Sequence, residues 1–187
     1  MCTLPEPRRL PGDLAMWFFI LAELSVFAIL ILAFAVTQVL KPEVFAEGRA
    51  QLDTSTGLAM TLSLLTAGLL AALALQQVRL QRWRRGAGLF VAALFVALVY
   101  VAIKLTEYAH LGAAGLGLEH STFFTLYWIL TGFHFLHVLL GMVILAWLAL
   151  GCWRGGLSVG GLESGVLYWH MVDLVWVVLF PLVYVIG

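Results

Sequence analysis

Residues 14–40 read LAMWFFILAELSVFAILILAFAVTQVL, and a single charged residue, Glu23, interrupts this apolar run. An α-helix rises about 1.5 Å per residue, so about 20 apolar residues are enough to cross the ~30 Å hydrocarbon core of a bilayer. The run is longer than that and lacks the apolar–polar alternation of a barrel strand. It is also too long for the apolar region of a signal peptide, and it therefore predicts a retained transmembrane helix.

Four further apolar stretches follow along the chain, at residues 54–78, 86–110, 121–153 and 163–186. Of the 187 residues, 63% are hydrophobic and 11% are charged, whereas soluble domains are roughly 45–50% apolar and about 25% charged. This composition excludes a water-soluble fold and a disordered chain, and the zero net charge offers no basic surface for nucleic acid. We therefore expect an all-α integral membrane protein, a single domain over residues 1–187 that bundles five transmembrane helices.

The basic residues outside these stretches predict the orientation. When the stretches alternate in direction, one side of the membrane receives Arg8, Arg9, Arg79, Arg82, Arg84, Arg85 and Arg154. The opposite side receives Lys41 and Arg49, with Lys104 near the end of a stretch. Since cytoplasmic loops carry the excess of Lys and Arg, we expect a cytoplasmic N-terminus and a periplasmic C-terminus. Both cysteines, Cys2 and Cys152, then face the reducing side as free thiols.

Ionisable residues lie near the middle of three stretches, where Glu23, His134 and Asp173 fall at similar depths. His137 follows His134 by three residues and Asp173 follows His170 by three, so each pair shares one helix face. A charge in hydrocarbon costs about 2.5–3.5 kcal/mol on insertion scales, so such residues mark functional sites by default. We expect one buried polar cluster formed by Glu23, His134, His137, His170 and Asp173.

Two interpretations of this cluster follow from the residue types. Imidazoles and a carboxylate that face one another in a helical bundle are suitable ligands for a metal or a haem. Alternatively, they form a neutral hydrogen-bond network that ties three helices together. A di-iron bundle needs several Glu ligands and the cluster holds one, so the residues favour the network. Glu23 by itself admits either a proton-relay role or a packing role.

Lys104 and Glu107 form a second polar pair, three residues apart near the outer end of the 86–110 stretch. The simplest interpretation is a local ion pair whose lysine extends along the helix surface toward the membrane interface. A gate or a contact with a lipid headgroup is the alternative. No catalytic and no metal-binding residue is assigned in the chain.

Four short motifs are specific enough to suggest a family. Residues 131–141 read TGFHFLHVLLG, residues 168–176 read YWHMVDLVW, residues 17–23 read WFFILAE, and Glu107-Tyr108 closes the third stretch. In their order along the chain, the four motifs resemble subunit III of the haem–copper oxidases, the cytochrome c oxidase subunit III family. They are similar to its T-G-F-H-x-x-H-V-x-x-G signature, its Y-W-H-x-V-D-x-V-W ending, its mid-membrane glutamate (here Glu23) and its E-Y pair. The resemblance covers nearly the whole chain.

The resemblance implies an accessory subunit that itself binds no haem or metal. Members of this family flank the catalytic subunit, bind phospholipid in a cleft between helices, and support proton uptake or active-site lifetime. The five-span form, the short loops and Lys104, where oxidase subunits usually have Gln, look most like the NorE branch associated with bacterial nitric oxide reductase. That branch implies a bacterial inner membrane, a role in denitrification and respiratory electron transport, and a partner subunit that carries the haem and the non-haem iron or copper.

Three alternatives stand beside this interpretation. Within the family, the chain could be subunit III of an aerobic cytochrome c or quinol oxidase. Outside the family, His134, His137 and His170 could build a haem or metal redox enzyme, or Glu23 could line a proton channel.

Overall fold

The computed structural model describes residues 13–155 and 157–186, so Cys2, Arg8 and Arg9 lie outside the described residues. The helices, in order, are α1 (Leu14–Leu40), α2 (Pro42–Arg49), α3 (Thr54–Arg79), α4 (Trp83–Ala113), α5 (Thr122–Arg154) and α6 (Val159–Phe180). A π-helical turn at Pro181–Val185 continues α6. Five of these helices, all except α2, are long and apolar enough to cross a membrane. The prediction of an all-helical protein with five membrane-spanning helices is confirmed.

Polar side chains cap the starts of α3, α5 and α6, and the caps of α3 and α6 show how they fix a boundary. The carboxylate of Asp53 accepts hydrogen bonds from the backbone N–H groups of Ser55 and Thr56, so α3 begins at Thr54. The hydroxyl of Ser158 accepts one from the backbone N–H of Gly161, so α6 begins at Val159 rather than at the predicted residue 163. The polar cap therefore adds a first turn that the apolar pattern of α6 does not reveal.

The short helix α2 occupies part of the connection between α1 and α3, and the apolar pattern does not predict it. Pro42 stands at its first position, where the missing N–H of proline is no loss. Phe45 is its buried anchor, with its ring 5.0 Å from that of Phe34 on α1 and 5.4 Å from that of Phe123 on α5. These two ring contacts join α2 to α1 and α5.

Helices α3 and α4 form a closely packed antiparallel hairpin. Small side chains that are fully buried line the two helices: Ala67, Ala71 and Ala74 on α3, and Ala93 and Ala97 on α4. Gly86 permits a close approach, because a Cβ there would lie 2.6 Å from Cγ2 of Val78 and 3.1 Å from the carbonyl oxygen of Ala74. Small residues at such contacts let the helix backbones approach, which replaces the hydrophobic effect as the source of association inside a bilayer.

Helix α6 lies at the centre of the bundle and α1 at its edge. Helix α6 packs against α3, α5 and α1, and its Trp169 and Trp176 are fully buried. In α1 only Ile20, Phe27 and Phe34 are buried, at intervals of seven residues, which indicates one narrow contact face. Most of the remaining surface of α1 is apolar and suited to contact with lipid.

The two ends of the bundle differ in charge. At the end that we name the arginine end, the α3–α4 hairpin and the end of α5 carry Arg79, Arg82, Arg84, Arg85 and Arg154. Nη2 of Arg79 lies 2.7 Å from Oε1 of Glu163, and the backbone N–H of Asp13 donates to the hydroxyl of Ser164, so α1 and α6 both start at this end. The opposite end, which carries α2, is named the α2 end.

Candidate functional site

Glu23 and His137 form a pair between α1 and α5. Oε2 of Glu23 lies 3.0 Å from Nε2 of His137. Nδ1 of the same imidazole lies 2.8 Å from the carbonyl oxygen of Phe133, one turn earlier on α5. Because a carbonyl oxygen can only accept, Nδ1 carries a proton and the ring is fixed in one orientation. Phe27 and Phe133 flank the imidazole, with centroid distances of 5.1 and 4.5 Å.

This geometry requires one proton between Oε2 of Glu23 and Nε2 of His137. Either a protonated carboxyl donates to a neutral imidazole, or an imidazolium donates to a carboxylate. The pair as a whole is neutral in both forms, which lowers its cost in hydrocarbon. The side chains of Glu23 and His137 are 22% and 11% exposed, so the pair lies at the edge of the bundle. Chemically, the arrangement can fasten two helices and can shift a single proton between two residues.

His134 occupies a separate position inside the bundle. Its side chain is fully buried, and neither ring nitrogen has a hydrogen-bond partner among the described residues. Aromatic rings surround it: the centroid of Trp176 lies at 5.0 Å, that of Tyr100 at 6.1 Å and that of Phe27 at 6.2 Å. In this environment His134 acts as an aromatic packing residue that joins α5 to α4, α6 and α1.

His170 and Asp173 form a second pair, within α6. Nδ1 of His170 lies 3.5 Å from Oδ2 of Asp173, and the two side chains are 44% and 7% exposed. Gly68 of α3 faces them: a Cβ at that position would overlap Oδ2 of Asp173 and would lie 3.5 Å from Cε1 of His170. The missing side chain of Gly68 therefore makes room for the carboxyl group between α3 and α6.

The five residues thus do not form the single cluster that their depths predict. In the described part of the chain, no hydrogen bond or ion pair links the Glu23–His137 pair, the His170–Asp173 pair and His134 to one another. Equal depth brings side chains together only when their helix faces also meet. The ring of Phe27 stands beside both His134 and His137, and the latter turns toward α1.

The largest polar group of the bundle surrounds Lys104. This side chain is fully buried, with its Nζ 2.6 Å from Oε2 of Glu107, 3.0 Å from the hydroxyl of Tyr127 and 3.1 Å from that of Tyr184. The tyrosine hydroxyls in turn donate to Glu107, at 2.9 Å each. The ammonium and the carboxylate therefore bond each other and the same two phenols, which joins α4, α5 and the π-helical turn.

Aromatic faces complete the enclosure of the Lys104 ammonium. Its nitrogen lies 4.7 Å from the ring centroid of Tyr108, 4.8 Å from that of Tyr127 and 5.6 Å from that of Trp176. A cation over such faces is attracted by the ring quadrupole, and the attraction is largest where water is excluded. The arrangement compensates a buried charge by an ion pair, hydrogen bonds and cation–π contacts at once.

The structure corrects the interpretation of Lys104 as a lysine that extends to the interface. Lys104 and Glu107 do form an ion pair, but the ammonium is directed into the bundle and is 0% exposed. Tyr127 and Tyr184 are the residues that the sequence did not reveal. Tyr184 is 80 residues away from Lys104, and no local spacing signals that contact. The only available signal was that a lysine inside a span needs polar partners.

No described part of the chain brings together three or more His, Cys, Asp or Glu side chains in a group that could hold a metal ion. The Lys104 group contains one carboxylate and a cation, which does not suit a metal. The arrangement found in the described residues suits the fastening of helices.

Comparison with known proteins identifies the family. The profile described as cytochrome c oxidase subunit III matches residues 12–187. The chain belongs to the cytochrome c oxidase subunit III family. The family resemblance of the four motifs is thereby confirmed, and the motif residues Glu23, His134, His137, His170 and Asp173 all fall within the matched region of this subunit III chain.

Individual relatives agree with the family match. The chain is 31% identical over 181 residues to a protein of Aeropyrum pernix named heme-copper oxidase subunit I+III. This alignment covers 92% of this chain and 22% of that protein. The chain is 39% identical over 90 residues to cytochrome c oxidase subunit 3 of Synechocystis, which covers 44% of this chain and 36% of that protein. It is 33% identical over 88 residues to cytochrome bo(3) ubiquinol oxidase subunit 3 of Pseudomonas aeruginosa, covering 46% and 42%. The alignments thus span less than half the length of each of these relatives.

Proposed function

We propose that this chain is a non-catalytic accessory subunit that lies beside the membrane-embedded catalytic subunit of a respiratory complex. The family match over residues 12–187 carries the proposal. The contacts of His137 are consistent with it, because both of its ring nitrogens already have partners, Glu23 and the carbonyl oxygen of Phe133, and neither is free for a metal. On this proposal the partner subunit holds the haem and the non-haem iron or copper, and this chain holds none.

As the partner we propose the catalytic subunit of a bacterial nitric oxide reductase, in the inner membrane and in the service of denitrification. Lys104 supports this NorE-like assignment, because oxidase subunits usually have Gln at that position and a fully buried ammonium is a strong departure from an amide. The N-terminus is proposed to be cytoplasmic.

The second candidate partner is the catalytic subunit of an aerobic cytochrome c or quinol oxidase. The names of the relatives from Synechocystis and Pseudomonas aeruginosa, both of them oxidase subunits, favour it.

Phospholipid is the proposed ligand in either case, since most of the surface of α1 is apolar and exposed.

Purification of the affinity-tagged full chain from its native membranes in mild detergent tests the proposal. We expect a haem-containing subunit to purify with it, and the eluate to consume nitric oxide. An eluate that instead consumes oxygen with cytochrome c or quinol selects the oxidase. The untagged strain is the control for haem that sticks to the resin. An eluate without haem, together with unchanged turnover of nitric oxide and oxygen in a deletion strain, would contradict the proposal.

A second measurement addresses the cofactors. Once the chain is separated from its partner, we expect a colourless protein with substoichiometric iron and copper. Stoichiometric haem or metal in the separated chain would establish a redox enzyme instead.

A further inference from the structure

His170 differs from the other ionisable side chains in the middle of the described helices by its exposure. It lies eleven residues beyond the start of α6 at Val159, about 16 Å along the helix. Its side chain is 44% exposed, compared with 22% for Glu23 and 0% for Lys104. At that depth the surroundings of a solitary subunit are lipid chains, which offer a polar ring nitrogen no hydrogen bond.

Within the described residues, only one nitrogen of His170 has a polar neighbour. Nδ1 faces Oδ2 of Asp173 at 3.5 Å, and no described side chain or carbonyl bonds Nε2. Exposed hydroxyls elsewhere in the spans bond to their own helix instead: Ser25 donates to the carbonyl of Leu21 and Thr66 to that of Leu62. An imidazole has no such internal solution for its second nitrogen, so Nε2 is available to an acceptor or donor from outside the chain.

A groove between α3 and α6 leads to this imidazole. Its volume is about 240 Å³, and its walls include Ala72, Leu75 and Leu167. The Arg79–Glu163 ion pair stands at the arginine end of the groove, and His170 at its deeper end. The groove therefore combines apolar side chains with polar ones, which include Gln76 as well as the ion pair and His170.

We propose that this groove is the surface on which the chain binds its catalytic subunit: a transmembrane helix of that subunit lies in it and donates a hydrogen bond to Nε2 of His170. This inference rests on the proposed function and adds the location and chemistry of the contact. A Ser, Thr, Tyr or Trp side chain has the required donor, whereas an acyl chain fits the apolar walls but leaves Nε2 unbonded. The charges of Arg79 and Glu163 give the helix a fixed register at the arginine end.

Site-specific photocrosslinking in native membranes tests the location. A photoreactive amino acid replaces Leu167 in the groove, and in a matched variant it replaces Val143, which is 65% exposed on α5. We expect position 167, and not position 143, to give an adduct with the haem-containing subunit. Adducts of position 167 with lipid alone or with a second copy of this chain would overturn the inference, and so would an equal or larger protein adduct at position 143.

Two substitutions of His170 test the hydrogen bond. A buried hydrogen bond between membrane helices contributes about 0.6–1.4 kcal/mol, so His170→Leu is expected to lower the amount of haem that purifies with the chain about threefold to tenfold. His170→Gln retains an acceptor and is expected to restore most of it. An equal loss of co-purified haem in both variants, or no loss in either, would contradict the proposed hydrogen bond to His170. Thermal unfolding of the separated variants identifies a simple folding defect.

The two proposals fail in distinguishable ways. If the wild-type chain brings no haem-containing subunit with it, the proposed function fails. If it does bring one, and position 167 gives no adduct with it, only the groove is excluded as the contact surface.

Discussion

Lys104 shows how a single residue sets the arrangement of three elements. A buried ammonium loses its hydration, and its partners must replace all of it. Glu107, Tyr127 and Tyr184 supply these contacts from α4, α5 and the π-helical turn. The turn that ends the described part of the chain is therefore fixed by a charge that lies on another helix.

Removal of this charge has a predictable cost. Lys104→Met leaves the carboxylate of Glu107 buried without a counter-charge, and we expect it to lower the free energy of unfolding by about 3 kcal/mol. Lys104→Met combined with Glu107→Gln removes both charges, keeps a hydrogen-bond acceptor for the tyrosines, and should recover most of the loss. Lys41→Met, at an exposed lysine, is the control and should change stability by less than about 0.5 kcal/mol. Thermal unfolding in detergent measures all four proteins. A double variant that is no more stable than Lys104→Met would show that the loss does not come from an unpaired Glu107 carboxylate.

Gly68 offers a second test at the residue scale. Because a Cβ there would overlap Oδ2 of Asp173, Gly68→Ala forces the carboxyl group out of its position, and we expect a loss of about 1–3 kcal/mol in unfolding free energy. Gly132→Ala is the matched control, since nothing lies within 4 Å of the new Cβ in the helix α5. That substitution should stabilise the protein by about 0.4–1 kcal/mol. Denaturant unfolding of both variants is the measurement, and equal effects would contradict the close approach of α3 and α6.

Local spacing predicts contacts within one helix and fails for contacts between helices. The pairs Lys104–Glu107 and His170–Asp173 follow from their separation of three residues. The contact of Glu23 with His137 spans 114 residues, and its two members were assigned to a common cluster only by depth. Depth fixes one coordinate of a side chain, and the rotation of each helix about its axis fixes the others. That rotation depends on packing across the whole bundle.

At the scale of elements, length and apolar character are sufficient for the five long helices. They are insufficient for α2, whose eight residues PEVFAEGR include three charged side chains. Its stability comes from the Phe45 ring against Phe34 and Phe123, and no pattern within α2 indicates those partners. The start of α3 is different, because Asp53 followed by Ser55 and Thr56 is a recognisable cap.

The cap of α3 predicts a pH dependence. Hydrogen bonds from the hydroxyls of Thr56 and Ser55 lower the pKa of Asp53 from the ordinary 3.8 to about 2. Because the pKa is lower in the folded protein than in the unfolded chain, the cap stabilises the fold above about pH 4 and is lost as the pH falls from about 4 toward 2. Melting temperatures of the wild type should therefore fall more steeply over that interval than those of Asp53→Asn. Glu43→Gln controls for the removal of a carboxylate from the same end of the bundle. Identical curves of melting temperature against pH for the wild type and Asp53→Asn would contradict the role of the cap.

At the scale of the whole molecule, the bundle combines a dense core with a loosely attached edge. Helices α3, α4, α5 and α6 share the small-residue contacts and the buried tryptophans, whereas α1 is attached by one narrow face, the Glu23–His137 pair and a hydrogen bond from Gln38 to the carbonyl oxygen of Ile186. An accessory subunit of this construction has its most adaptable surface at α1 and its most rigid one along α3 and α6. A polar contact with a partner helix needs fixed geometry, which the rigid side provides.

The charge difference between the two ends of the bundle makes the orientation testable. In a background that lacks Cys2 and Cys152, Gln51→Cys places a thiol at the α2 end and Leu80→Cys places one in the α3–α4 hairpin of the arginine end. Since loops rich in arginine remain in the cytoplasm, a membrane-impermeant maleimide added to right-side-out vesicles should label position 51 at once and position 80 only after permeabilisation. The cysteine-free background controls for labelling of other groups. Labelling of position 80 in intact vesicles, with position 51 protected, would show that the orientation is the reverse of the predicted one. Equal labelling of both positions would show that the arginines of the hairpin do not determine the orientation.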